Sequence, residues 1–231
     1  GSIDLARALS VSCDTVFYKL ATEMWPKDGG LNPSGTPAEA MYTAARDFGL
    51  GKKTGIDIPG ETTGRVVGRE QKKADYAERK DDFCRRATEG YPEVKPADRA
   101  ALLQSYAKDF CAEGDKFRAG DALNFAIGQG DTVVTPLQMN MVYSAIANGG
   151  TLWKPTVAKA AVSREGELRK EFEPTSNGNV TASDSTLSFL RKALSQTTVT
   201  GTASGRSRDP GRGNPGDPRG PDSSRCQDRN R

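Results

Sequence analysis

Apolar residues recur at helical spacing from the start of the chain, and that pattern breaks once, at Ser12-Cys13-Asp14. Leu5, Ala8 and Leu9 precede the break, and Phe17, Leu20, Ala21 and Met24 resume the spacing after it. Two amphipathic helices therefore meet at a small polar corner that carries a hydroxyl, a thiol and a carboxylate. A Ser and an Asp two residues apart at such a junction can point into one cleft. There the hydroxyl can relay a proton and the carboxylate can orient or accept one. The same residues suit a plainer role, because Ser12 or Asp14 can simply cap the second helix. On these three residues alone both readings stand.

Composition narrows the chemistry. The chain has no histidine. That excludes Ser-His-Asp and Cys-His catalysis, disfavours a zinc site, and leaves a Lys, a carboxylate or a second Ser as the base for any nucleophile. The 231 residues suffice for one large domain, or for one domain plus an insertion. With 35% apolar residues, part of the chain is expected to be solvated or disordered. No apolar stretch is long enough to span a membrane. Gly1-Ser2-Ile3-Asp4 enters a helical pattern at once, like neither a signal peptide nor a natural start, so a fragment is expected. The net charge of +3 belongs to the tail: from Ser204 onward there are seven Arg against four Asp, and the rest holds 26 basic and 26 acidic residues. A nucleic-acid surface on the folded part is thus poorly supported. Cys84 and Cys111 bracket one charged segment, either as a bridge formed in an oxidising compartment or as two buried thiols.

Further along, Pro26 to Pro37 reads as a loop. Thr36-Pro37-Ala38-Glu39 reads as a capped helix start, with the helix stopping at Gly49. Alternation in residues 52–61 predicts a short strand ending at Pro59-Gly60. Residues 69–119 are dense in charge and predict a helical insertion, either a lid beside a cleft or a solvated appendage. Gly128-Gln129-Gly130 is a tight crossing that lacks the spacing of a phosphate loop. Thr135-Pro136-Leu137-Gln138 is a capping box whose helix runs to Gly149. A β-hairpin is predicted from Leu152–Val162 and Leu168–Phe172, and a last helix opens at Ser183. Beyond Ala203 periodicity stops. The Arg/Gly/Pro/Asp/Ser mixture of 204–231 predicts disorder and resembles GC-rich DNA read in a shifted frame.

Taken in order, four stretches resemble the transpeptidase domain of the penicillin-binding proteins, in its monofunctional, elongation-type class B branch. They are Ala8–Ala21, Phe48–Glu61, Ala126–Gly130 with Val134–Met139, and Ile146–Gly150. The resemblance implies an α/β fold, an antiparallel sheet flanked by helices, spanning residues 1–203. It would be incomplete, with the N-terminal part and catalytic strand missing. It also implies a D,D-transpeptidase that attacks D-Ala-D-Ala stems of peptidoglycan through a serine acyl-enzyme, that is trapped by β-lactams, and that needs no cofactor.

That family orders three motifs along the chain: Ser-x-x-Lys, then Ser-x-Asn, then Lys-Thr-Gly. Ser12-Cys13-Asp14 takes the second place with Asp for Asn, which makes Ser12 and Asp14 the candidate catalytic residues. Two decoys exist. Ser105-Tyr106-Ala107-Lys108 spells the first motif but follows the second, and Lys53-Thr54-Gly55 spells the third inside a different landmark. The resemblance places the nucleophile before Gly1 and the true Lys-Thr-Gly within the aberrant tail, so the chain alone is expected to be inactive. Expected partners are stem peptides, β-lactams and cell-elongation proteins, with no nucleic acid, at the outer face of a membrane whose anchor lies elsewhere. A non-catalytic cell-wall or elongation-complex binding module is the alternative, and a basic-tail nucleic-acid binder a weaker one.

Overall fold

A computed structural model describes residues 3–204. In chain order the elements are α1 (Leu5–Val11), α2 (Asp14–Lys27), α3 (Ala40–Asp47), α4 (Arg69–Glu89), α5 (Ala97–Glu113), α6 (Ala119–Ala126) and α7 (Pro136–Asn148). Then follow β1 (Thr151–Trp153), β2 (Ala160–Val162), β3 (Leu168–Glu171), β4 (Ser176–Asn179) and α8 (Asp184–Val199). The predicted tail of 204–231, with its disorder and frame shift, lies almost wholly outside the described residues.

Local caps decide most helix ends. Thr135 Oγ1 accepts from Gln138 N at 3.1 Å and Gln138 Oε1 accepts from Thr135 N at 2.9 Å, the reciprocal box that starts α7. Gly149, at φ 91°, ends it. Ser183 Oγ accepts from Thr186 N at 3.2 Å to start α8. Helices α7 and α8 and strand β1 then bury Ala145, Ile146, Leu152, Val180 and Leu187, with Phe48, Val142, Leu190 and Leu194 packed around them.

Gln138 also ties this core to the preceding loops. It is buried, and beyond its capping role its Nε2 donates to Lys52 O at 2.6 Å and to Thr63 O at 2.8 Å. Next to it Gly64 sits at φ 59°, where a Cβ would press on Val133 O and Gln138 Oε1. Only glycine fits that crossing. Arg65 then bridges to Val133 through paired backbone bonds of 2.6 and 2.8 Å.

Several sequence expectations are corrected. The Thr36-Pro37-Ala38-Glu39 cap does not form: α3 begins at Ala40, and Glu39 sits in the left-handed region at φ 45° with its carboxylate on Arg69 N at 2.8 Å. The strand expected in 52–61 is a loop, because Glu61 folds back to accept from the N–H groups of Thr54 and Gly55 and leaves no ladder. Pro26 lies in the last turn of α2 rather than opening the loop. The predicted long strand 152–162 is split. β1 pairs with β4, which the sequence reading missed, and β2 pairs with β3. Pro155 lacks a ladder donor, and the N–H groups of Val157 and Ala158 go to Asp57 instead. The short helix α6 was also not anticipated. The strands thus form two separate two-stranded antiparallel sheets among the described residues.

The charged segment is a helical hairpin. α4 and α5 pack along each other and are joined by a Cys84–Cys111 disulfide, so the bridge, not the pair of thiols, is realised. Tyr76 and Phe83 pack on Phe110 inside it at tilted angles, with ring centroids 5.6 and 4.2 Å from that of Phe110. Its base is pinned by Lys72–Asp121 at 2.5 Å and Arg65–Asp75 at 3.0 Å.

Two predictions follow from these bonds. Replacing Gln138 by Leu keeps the volume but strands three backbone groups, and is expected to cost about 2–4 kcal/mol in urea unfolding. A midpoint shift worth less than about 0.5 kcal/mol would remove Gln138 as the tie. The second concerns acid. The Val157 and Ala158 N–H groups hold the Asp57 carboxyl below its usual range, and the Thr54 hydroxyl with the Thr54 and Gly55 N–H groups does the same for Glu61. Lowered carboxyl values give stability that is complete above the ordinary carboxylate range and lost as pH falls through it. Melting temperature is therefore expected to fall below about pH 4, and less steeply in Asp57→Asn and Glu61→Gln.

Candidate active site at the first helix junction

Asp4 starts α1 by accepting from Arg7 N at 2.7 Å. The helix ends because Ser12 turns into the left-handed region at φ 54°, ψ 56°, with Cys13 N–H closing back on Ala8 O at 2.9 Å. Serine in that conformation costs of order 1 kcal/mol relative to glycine. Cys13 is buried with Ala8 and Val11, its Sγ 3.3 Å from Thr15 Oγ1, and no described cysteine is a free thiol. The hydroxyl-thiol-carboxylate corner expected from sequence is therefore a hydroxyl-carboxylate corner.

The buried Cys13 pins the junction, while Ser12 and Asp14 on either side of it are exposed. Asp14 is the first residue of α2, where the helix N-terminus favours a carboxylate. Neither side chain caps the second helix: its N-cap is Cys13, which makes no side-chain capping bond. The plainer sequence reading is thereby set aside.

The junction is braced from the far end of the chain. Thr202 N donates to Ser10 O at 3.2 Å, and Arg7 Nη1 donates to Thr200 O at 3.0 Å. Gly201 is buried against Ser10, so close that a Cβ would overlap the Ser10 carbonyl oxygen. α1 and α8 thus lie together, with Arg7, Ser10, Lys192 and Gln196 lining a groove between them. The sequence reading used Val199–Ala203 only as a marker and missed this brace. Gly201, the single glycine just after the helix, was the available signal.

The decoys sit elsewhere. Thr54 is buried, and its carbonyl accepts from Asn177 Nδ2 at 2.8 Å beside β4. Ser105 and Lys108 are exposed on α5 of the disulfide-linked hairpin. Among the described residues no His/Cys/Asp/Glu group could hold a metal ion, and no helix is long and apolar enough to cross a membrane.

The penicillin-binding protein transpeptidase domain matches residues 1–213. The chain belongs to that family. The peptidoglycan D,D-transpeptidase MrdA of Acinetobacter baumannii is 26% identical over 205 residues, covering 89% of this chain and 23% of that protein. MrdA of Haemophilus influenzae is 27% identical over 173 residues, 75% of this chain and 19% of the relative. The chain therefore spans about a fifth to a quarter of the curated relatives it matches. Among solved structures, the D,D-transpeptidase domain of a peptidoglycan glycosyltransferase from Eggerthella lenta superposes with TM-score 0.53 at 22% identity, over 91% of this chain and 40% of that one. A complex between penicillin-binding protein PBP2 and MreC from Helicobacter pylori gives 0.51 at 23%, over 84% and 25%. The fold is that of the penicillin-binding transpeptidases, as the ordered landmarks implied.

The brace gives a direct test. Gly201→Ala is expected to lower stability by about 1–3 kcal/mol, as overpacking does, and to speed amide exchange in residues 8–14. Unchanged exchange there would show that the α8 end does not hold the junction. Ser12→Gly, by contrast, is expected to raise stability by up to about 1 kcal/mol.

Proposed function

We propose that this chain is part of a peptidoglycan D,D-transpeptidase that works through a serine acyl-enzyme, and that Ser12 and Asp14 are its second active-site motif. The observation that carries the reading is the strained, exposed Ser12 beside exposed Asp14 on a buried, braced junction. Ser12 would pass a proton between the nucleophile and the leaving amine, and Asp14 would keep that hydroxyl oriented or hold a cationic base nearby. The substrate class is the D-Ala-D-Ala stem, and β-lactams would acylate the same nucleophile.

The sequence holds no Ser-x-x-Lys ahead of Ser12 and no Lys-Thr-Gly after Thr202. The chain as it stands is therefore expected to be inactive. The Cys84–Cys111 disulfide supports an oxidising, extracytoplasmic location, because such bridges rarely persist in the cytosol. Residues 1–203 would form one partial transpeptidase domain, with 69–119 as an inserted hairpin offering a face to cell-elongation proteins. The Helicobacter pylori complex supports that partner class.

Labelled penicillin followed by intact-mass measurement tests this. The expected result is no covalent adduct on the chain. A stoichiometric adduct mapping to Ser105 would overturn the assignment, because the decoy would then be the nucleophile.

A further inference from the structure

α4 and α5 have each other as their main packing partner among the helices and strands. The contact between them buries little apolar surface. Arg69, at the first position, is the one buried residue of α4, and Ala107 is the one buried residue of α5. Tyr76, Phe83 and Phe110 are half-buried. Polar ties across the pair are few. Tyr76 Oη donates to Cys111 O at 2.9 Å, and Gln104 Nε2 donates to Ala87 O at 3.1 Å. The Arg79 guanidinium lies 4.8 Å from the Phe83 ring centroid and 5.6 Å from that of Phe110. None of the ion pairs among the described residues joins α4 to α5.

Against this thin contact stands one covalent link. Cys84 and Cys111 are 27 residues apart in sequence, so their bridge removes much of the freedom the opened segment would otherwise gain. Both cysteines are half-buried, so neither sits in a sealed core. The base of the hairpin is held separately, by Lys72–Asp121 and Arg65–Asp75. Loss of the bridge therefore frees the part beyond the base, residues 76–110. It leaves untouched the core that α7, α8 and β1 build around Ala145, Leu152 and Leu187.

We propose that the α4–α5 hairpin is an oxidation-gated element, closed when Cys84 and Cys111 are bridged and open in the dithiol form. Closure is a thiol–disulfide exchange with an oxidising protein disulfide. The S–S bond forms between Cys84 and Cys111, their two electrons break the partner's S–S bond, and their two protons end on the partner's sulfurs. In a reducing compartment the hairpin stays open, and it closes on transfer to an oxidising one. The gate does not depend on the transpeptidase reading.

Hydrogen exchange read by mass spectrometry on the full chain tests this. In the double variant Cys84→Ala, Cys111→Ala, amides of residues 76–110 are expected to exchange about a hundredfold faster than in the bridged chain. Amides of α7 and α8 are expected to keep their protection. If the double variant does not fold, the unsubstituted chain decides: treatment with dithiothreitol is expected to release protection in 76–110, and oxidised glutathione to restore it. Exchange in 76–110 within about twofold of the bridged chain would overturn the proposal, because the hairpin would then close without the bridge. An equal loss of protection in α7 and α8 would also overturn it, because the bridge would then staple the whole fold rather than gate one element.

Discussion

The structure depends on the closure of its two ends at α1 and α8. Arg7 reaches Thr200 across 193 residues, and Thr202 bonds the Ser10 carbonyl two residues before Ser12. Such a distant contact pays a loop-closure cost before it is repaid. Repayment comes from burial: Gly201 lies flush against α1, and Leu187 and Ala193 of α8 are both 1% exposed. Because α8 is also a wall of the main core, the junction that carries Ser12 and Asp14 is fixed to the best-packed part of the molecule. A strained serine persists only where its surroundings over-determine it.

The second tier of organisation is polar. Gln138 joins the start of α7 to the two loops that run past it, and Asp57 and Glu61 use carboxylates to gather backbone N–H groups that no sheet satisfies. The described strands are short and their sheets have only two members, so these side chains do the work a broad sheet would otherwise do. The hairpin of α4 and α5 is held differently, by a disulfide and an aromatic cluster of its own, with the Lys72–Asp121 and Arg65–Asp75 pairs fixing its base and Arg86–Glu93 tying the far end of α4 to the connecting loop.

What the sequence made legible follows from how local each cause is. Caps act within three or four residues, so the Thr135–Gln138 box, Ser183 and the closing Gly49 and Gly149 were readable. Glu39 misled because its partner is thirty residues away on α4, and a distant use of a carboxylate leaves no local signature. β4 was missed because Ser176-Asn177-Gly178-Asn179 reads as a turn, and only pairing with β1 makes it a strand. At the site, residue types pointed to Ser12 and Asp14, but neither the left-handed φ of Ser12 nor the brace from Gly201 could be read from spacing. The family followed from the order of landmarks, because order survives where single motifs are degenerate.

The central claim is that Ser12 and Asp14 form the helper motif of an acyl-transfer site whose nucleophile is not Ser105. The most direct measurement exchanges residues 3–203 for the matching segment of Acinetobacter baumannii MrdA and follows acylation by a fluorescent penicillin. The account predicts that Ser12→Ala slows acylation by about a hundredfold or more while Ser105→Ala leaves it unchanged. A chimera that acylates normally with Ser12 and Asp14 both replaced by Ala would contradict it.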